Sequence, residues 1–307
     1  MEILITGASG FVGQNLILSL EQSDLLIRTV QRSKLQLIKS EDISDSSVIV
    51  HLAGKAHDLK KNVDPSEYYY VNFELTKRLY DAFLKSNAKK FIFVSSVKAA
   101  ADSVKDVLTE DVIPLPQTPY GKSKLMAEEY IKSQPLAQGK SYYILRPSMV
   151  HGPGNKGNLN LLYQVVKKGI PYPLAAFENK RTFLSVKNLC FIINELINQT
   201  EVPSGIYNIA DDEALSTTEV VKILAQSMSK TPTLWRISKT LITTIAKFGN
   251  ILKLPLNTER LNKLTDNYLV SNLKITQALN IKLPINAREG LIETANSLAI
   301  YNEKAKK

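Results

Sequence analysis

Short apolar, β-branched runs recur through the first half of the chain, and each is followed by a stretch with helical spacing. Glu2–Thr6, Ile27–Gln31, Ser47–Leu52, Lys90–Ser96 and Tyr142–Pro147 read as strands. Uninterrupted apolar runs of this length suit strands covered on both faces. Gln14–Glu21 puts Leu16, Ile17 and Leu20 on one helical face, and Asn72–Ser86 does the same with Leu75, Leu79, Ala82 and Phe83. Tyr120–Ser133 reads as a third helix. Strands alternating with helices predict an α/β chain with a parallel, doubly wound sheet and right-handed crossovers. Ligands of such sheets lie beyond the carboxyl ends of the strands.

After Gly152-Pro153-Gly154 the rhythm breaks. Asn158–Gly169 reads as a helix, Ile170–Lys180 is irregular and interrupted by proline, and Thr182–Val186 and Ile206–Ala210 are short strand candidates. Ser216, with Glu219 three residues on, forms a capping box for a helix running to about Met228. Residues 1–155, with the strands near 182–186 and 206–210, are expected to form one domain. Residues 156–181 and 211–307 are expected to form a smaller, discontinuous α/β lobe. Ile237, Leu241, Ile245, Phe248 and Leu252 line one helical face, with Lys239, Lys247 and Lys253 interspersed. That face suits a lid packed on the sheet lobe, or a helix lying on a membrane surface.

Composition narrows the function classes. With 307 residues, 44% of them hydrophobic, the chain can bury a large core and divide into two lobes. The single cysteine, Cys190 in Leu-Cys-Phe-Ile-Ile, excludes an intramolecular disulfide framework and reads as a buried, inert thiol. No leader and no membrane-length apolar run is visible, so a cytoplasmic protein with no membrane span is expected. His51, His57 and His151 lack metal-ligand spacing, and no metal is expected. The net charge of +10 is scattered rather than gathered into a nucleic-acid module. It suits an enzyme whose cofactor and substrate both carry phosphates.

Two motifs carry chemistry. Thr6-Gly7-Ala8-Ser9-Gly10-Phe11-Val12-Gly13 lies between the first strand and the first helix. Glycines there permit a tight turn and close approach of backbone to a pyrophosphate, while the helix N-terminus offers free N–H groups. The second strand ends in Gln31-Arg32 rather than in an acid. An acid would grip the ribose 2′-hydroxyl of NAD; Arg32 suits the 2′-phosphate of NADP, or is a solvated surface charge. Ala53 and Gly54, after the third strand, would let a cofactor lie close to backbone. Tyr120-Gly-Lys-Ser-Lys124 sets a phenol and an ammonium one helical turn apart. A fixed cation favours the phenolate, which lets the phenol exchange a proton with an alcohol or ketone near neutral pH.

Thr6-Gly7-x-x-Gly10-x-x-Gly13, His51-Leu-Ala, Asn72, Ser95-Ser96, Tyr120-x-x-x-Lys124 and Leu145-Arg146-Pro147-x-x-Val150-x-Gly152-Pro153 occur in this order. As a set they resemble the extended short-chain dehydrogenase/reductase family of nucleotide-sugar epimerases and dehydratases. The resemblance implies a Rossmann-type sheet with a sugar-nucleotide lobe, and a homodimer through the helices after Asn72 and Tyr120. It implies Tyr120 as acid/base, Lys124 on the nicotinamide ribose and Ser96 on the reacting oxygen. NAD(P) would be held by Gly7, Ser9, Gly10, Phe11, Val12, Gly13, Arg32, Asp42 and Ile43. Leu52, Ala53, Gly54, Asn72, Val94, Pro147 and Val150 would complete that site, with Tyr120 and Lys124. Asn72 resembles the asparagine that supports the active-site helix, and read by itself is a helix cap. Substrate would meet Ser96, Lys98, Asn158 and Arg181; by themselves, Asn158 could cap a helix and Arg181 be a surface charge. Thr182 stands where many relatives carry aspartate.

Sugar dehydratases of this kind follow the active-site threonine with Asp-Glu, whereas Ser96 is followed by Val97-Lys98. Hydride transfer at C4 of a nucleoside-diphosphate hexose is therefore expected, as a 4-epimerase or a 4-ketoreductase, with NADP favoured over NAD by Arg32. Ser95-Ser-Val-Lys98, Gly169-Ile-Pro-Tyr-Pro and Asn179-Lys-Arg181 look most like the branch handling UDP-linked, N-acetylated 6-deoxyhexoses for surface polysaccharide. The other class of reading is a catalytically silent NAD(P)-binding sensor or scaffold.

Overall fold

A computed structural model describes residues 1–21, 23–55, 64–155, 157–251 and 257–304; the side chains of Asn158, Ile251, Glu259, Arg260, Lys263 and residues 301–304 are outside that description. From the N-terminus the chain forms β1 (Glu2–Thr6), α1 (Phe11–Leu20), β2 (Leu26–Val30), β3 (Val48–His51), α2 (Pro65–Tyr69) and α3 (Leu75–Lys85). Next come β4 (Lys90–Val94), β5 (Val107–Leu108), α4 (Pro119–Ser133), β6 (Ser141–Pro147), β7 (Met149–His151), α5 (Asn158–Lys167) and β8 (Arg181–Ser185). Then follow α6 (Val186–Asn198), β9 (Gly205–Ile209), β10 (Ala214–Leu215) and α7 (Thr217–Gln226). The chain finishes with α8 (Lys239–Ile251), α9 (Thr258–Thr265), β11 (Leu269–Val270), α10 (Leu273–Leu279) and α11 (Ala287–Lys304).

Six strands form the main sheet in the order β2-β1-β3-β4-β6-β9. Every pairing in it is parallel, as the continuous apolar runs require once helices cover both faces. This is a Rossmann-type, doubly wound α/β fold. One face packs on α1 and α6 through Ile3, Ile5, Leu16, Val50, Leu189 and Ile193. The other packs on α3 and α4 through Leu4, Leu79, Phe83, Phe91, Ala127 and Ile131. Strand order reverses between β1 and β3, so the loops after those two strands open a crevice at the carboxyl edge.

The second lobe has its own core, built from α5, α7, α8, α9 and α11 around Tyr163, Val221, Leu224, Ile242, Leu261 and Leu291. The Ser216–Glu219 capping box forms reciprocally. Of the two later strand candidates, β9 joins the main sheet beside β6. β8 does not join it; it lies between β7 and β10 in a separate three-stranded sheet. Alternation along β8 sends Leu184 into the main core and Phe183 into the lobe core, so this strand serves both. Five residues of π helix, Tyr70–Glu74, join α2 to α3. The helix expected from Asn72 thus begins earlier, at Pro65 with Asp64 as its cap.

The helical face expected over residues 237–252 lies differently from the lid reading. Ile242 and Ala246 are the α8 side chains buried in the lobe core, while Leu241, Ile245 and Phe248 stand exposed. Ile237 packs against the lobe core, and Leu252 lies outside the described residues. Among the described residues no helix is long and apolar enough to cross a membrane.

Candidate active site

The glycine loop closes on the loop after β3. Gly7 has φ +72°, and a Cβ there would stand 2.6 Å from the Ala53 nitrogen. A Cβ on Gly13 would stand 2.3 Å from the Gly7 carbonyl oxygen, which accepts the Gly10 N–H at 3.0 Å. Thr6 ties the two strands: its Oγ1 lies 2.6 Å from His51 Nδ1 and accepts the Ala53 N–H at 3.2 Å. Gly10 caps α1 without a side-chain bond, so the N–H groups of the first turn point outward uncapped. Ser9 and Gly10 are exposed, and Phe11 and Val12 half-buried. Backbone this close, ending in a bare helix N-terminus, fits the pyrophosphate of a dinucleotide.

Arg32 opens a short 3₁₀ turn after β2 and is exposed; its Nη2 donates to the Gly54 carbonyl at 3.4 Å, across the crevice. Asp42 is also exposed, and its carboxylate accepts the Lys39 N–H at 2.9 Å. Ile43 is fully buried, with its N–H on Ser40 and its carbonyl on Ser46. The structure places that pair in a self-contained turn. Leu52 and Gly54 are half-buried and Ala53 is buried at the end of β3; Pro147 and Val150 sit at the far side, on β6 and β7.

Asn72 lies within the π turn, and its side chain is no helix cap. Oδ1 accepts the Lys55 N–H at 2.7 Å, while Nδ2 donates to the Lys55 carbonyl at 3.1 Å and to Ser123 Oγ at 3.0 Å. It pins the loop after β3 to α4, the helix that carries Tyr120 and Lys124. Thr118 caps that helix, with Pro119 in its first turn.

Ser96 follows β4 and hydrogen-bonds the Tyr120 hydroxyl. Its Oγ also accepts the Lys98 N–H at 3.2 Å. The Tyr120 phenol is raised above its ordinary value: burial is the largest cause, the Ser96 bond lowers it, and Tyr68 and Glu128 raise it further. The depression expected from Lys124 is not what the geometry gives. Lys124 Nζ donates instead to the Val94 carbonyl at 2.9 Å, 4.8 Å from the centre of the Phe93 ring. Burial brings the ammonium down from 10.5 to about 8, against an upward pull from Glu128. The same cause acts in opposite directions on an acid and a base, because burial disfavours either charged form.

Beneath this pair lies a buried ion pair. Arg146 Nε donates to both Glu128 oxygens at 3.1 Å, and Ser95 Oγ donates to the same carboxylate. Both charged side chains are 1% exposed. Tyr68, on α2, meets Tyr120 edge-on with ring centres 6.1 Å apart.

Of the residues expected to meet substrate, Lys98 donates from Nζ to the Asp102 carbonyl at 2.7 Å and lies 4.2 Å from the Tyr268 ring centre. Tyr268 is held between Lys180 and Thr182 by backbone bonds. Arg181 is therefore brought beside Tyr268; burial lowers its basicity, and Asp266 and Tyr268 raise it. Asn158 begins α5 one residue after the cap, Gly157, and its side chain is outside the described residues.

Three groups were not singled out from sequence: Tyr68, Tyr268 and Glu128. Glu128 had a signal, since it stands four residues beyond Lys124 on one helical face. The two tyrosines arrive from distant segments and had none. His51 is buried between Thr6 and Thr76 and driven down to about 3 by burial and then by Lys124. His151 Nδ1 lies 2.9 Å from Thr294 Oγ1, and His57 lies outside the described residues. Among the described residues no cluster of His, Cys, Asp or Glu could hold a metal ion. Burial pushes the Cys190 thiol up to about 12, so it stays protonated.

Residues 3–210 match the model of the NAD dependent epimerase/dehydratase family. The chain is 31% identical to a UDP-glucose 4-epimerase of Vibrio cholerae, over 98% of this chain and 97% of that one. It is 28% identical to an N-acetyl-alpha-D-glucosaminyl-diphospho-ditrans,octacis-undecaprenol 4-epimerase of Escherichia coli O157:H7, over 74% and 72% of the two chains. The solved UDP-N-acetylglucosamine 4-epimerase of Bacillus cereus superposes with a TM-score of 0.76 over 98% of this chain and 99% of that one, at 22% identity.

Proposed function

Because the chain belongs to the NAD dependent epimerase/dehydratase family, we propose that it catalyses NAD(P)-dependent hydride transfer at C4 of a nucleoside-diphosphate hexose. A UDP-linked, N-acetylated sugar is the favoured substrate class. The carrying observation is the hydrogen-bonded Ser96–Tyr120 pair at the carboxyl edge of β4, with Lys124 on the Val94 carbonyl one turn along α4. The cofactor supplies the hydride acceptor or donor when bound. The glycine loop and the α1 N-terminus would hold its pyrophosphate, and Lys124 its nicotinamide ribose. Ser96 and Tyr120 hold the C4 oxygen. In oxidation Tyr120, as its phenolate, takes the hydroxyl proton as the carbon gives up hydride to the cofactor, and in reduction the neutral phenol returns it as the carbon receives hydride. The Ser96 hydroxyl, already donor or acceptor to the phenol, steadies charge on the oxygen. Arg181 and Lys98 supply positive charge for the diphosphate. The same reading includes a homodimer through α3 and α4, which sedimentation equilibrium tests.

Dehydration in this family is read from an Asp-Glu pair after the active-site hydroxyl residue, and Val97 and Lys98 stand there instead, which favours hydride transfer alone. Between epimerase and ketoreductase, Arg32 favours the reductase, since it suits NADPH and lies against Gly54 at the crevice. Mass spectrometry of the nucleotide that co-purifies separates them: retained NAD means an epimerase, an empty or NADPH-loaded site a reductase. Tyr120→Phe should retain cofactor and lose at least about a hundredfold in turnover with UDP-sugars. Unchanged turnover would refute the assignment, and absence of any turnover in the parent chain would favour the silent sensor.

A further inference from the structure

We propose that α8 is an interfacial helix that docks this protein on an anionic lipid bilayer. Leu241, Ile245 and Phe248 recur at helical spacing and are 53%, 43% and 59% exposed. They form a stripe about a third of a turn round the helix from Ile242 and Ala246, which are buried in the lobe core. The helix is thus already anchored by one face while it presents a second apolar face to solvent. Trp235, just ahead of α8 in the chain, is 52% exposed. A tryptophan ring suits the headgroup level of a bilayer, where one edge is apolar and the other wet.

Charge selects the occupant. No Asp or Glu stands between Glu219 and Glu259, whereas Lys222, Lys230, Arg236, Lys239, Lys247 and Lys253 all fall there. Arg236, Lys239 and Lys247, around and within α8, are exposed. Apolar contact from one face and cations around it are what binds a helix in the plane of an anionic membrane. A second copy of this chain would bring the patch against itself across a two-fold axis. Cations would then oppose cations, with no carboxylate in the segment to neutralise them.

The test is flotation of the full chain with vesicles of phosphatidylcholine alone and with added phosphatidylglycerol. Co-flotation with the anionic vesicles is expected, reversed by high salt. Emission of Trp235, the only tryptophan in the chain, should shift to the blue on their addition. The double variant L241E/F248E should lose about tenfold or more in vesicle affinity while keeping its melting temperature and turnover. No flotation, or equal flotation of the double variant, would overturn the proposal. So would a change of oligomeric state in the double variant, which would mean that a second copy covers the face, or binding only to an acidic protein.

Discussion

Lys124 is where stability and chemistry pull apart. Its ammonium titrates near 8 against 10.5 in the open chain, so between those values the unfolded chain binds more protons than the folded one. Stability accordingly rises with pH across that window, and the buried charge is a cost below it. Lys124→Met removes the cost but also the bond to the Val94 carbonyl. The apo chain should gain on the order of 1–2 kcal/mol at pH 7, read by urea unfolding, and its stability should flatten between pH 8 and 10.5. Turnover should fall sharply. In the parent chain, loss of the ammonium predicts that kcat/KM declines above a pH of about 8; a profile flat to pH 10 would exclude a charged role for Lys124. Arg32 offers the other residue-level test. Arg32→Ala should weaken NADPH by about ten- to a hundredfold, the worth of a charged hydrogen-bonded contact, and leave NADH nearly unaffected. Equal losses for both would remove the 2′-phosphate assignment.

At the scale of elements, α4 is fixed by polar bonds to its neighbours as well as by packing. The Glu128–Arg146 pair ties it to β6 with both charges out of water. Glu128→Gln should therefore cost about 3–5 kcal/mol, because Arg146 is left buried and unmatched, while Glu128→Leu with Arg146→Met should recover most of it. Asn72→Ala releases Lys55 and Ser123 together, and should cost about 1–3 kcal/mol in denaturant unfolding, with a raised KM for the cofactor. Much of this was legible in the chain. The strand runs, the glycine loop and the placement of Tyr120 and Lys124 on one helix all follow from local periodicity and turn chemistry, and the boundaries of the main-sheet strands fall within two residues. What sequence could not give was set by long-range packing. The π turn at Tyr70–Glu74 carries Asn72, whose partners Lys55 and Ser123 come from distant parts of the chain. Lys124 points to Val94 rather than acting on Tyr120 because β4 runs beneath it. Of the apolar face that periodicity marks over residues 237–252, Leu241, Ile245 and Phe248 stand exposed, while Ile242 and Ala246 beside them are buried in the lobe core.

For the whole molecule, β8 decides whether two lobes behave as one. The proposed site takes Tyr120 from α4 and Arg181 from the start of β8, so it needs sheet and lobe in a fixed relation, and β8 supplies it by alternation. Leu184 is in the main core with Leu189 and Ile192, and Phe183 is in the lobe core with Leu215 and Leu261. The strand also passes Arg181 to the bridge with Tyr268 and reaches β7, which follows β6 of the main sheet. Neither core can open without pulling this strand from the other. Calorimetry of the apo chain should therefore show one cooperative transition in which NAD(P), bound at the sheet, protects the lobe equally. Phe183→Ala should cost about 3–5 kcal/mol, the usual penalty for an emptied aromatic site. It should also split the transition, with the lobe melting first and cofactor raising only the later peak. Two separate transitions in the unaltered chain would mean that the lobes are independent and that the proposed site is assembled only when its ligands bind.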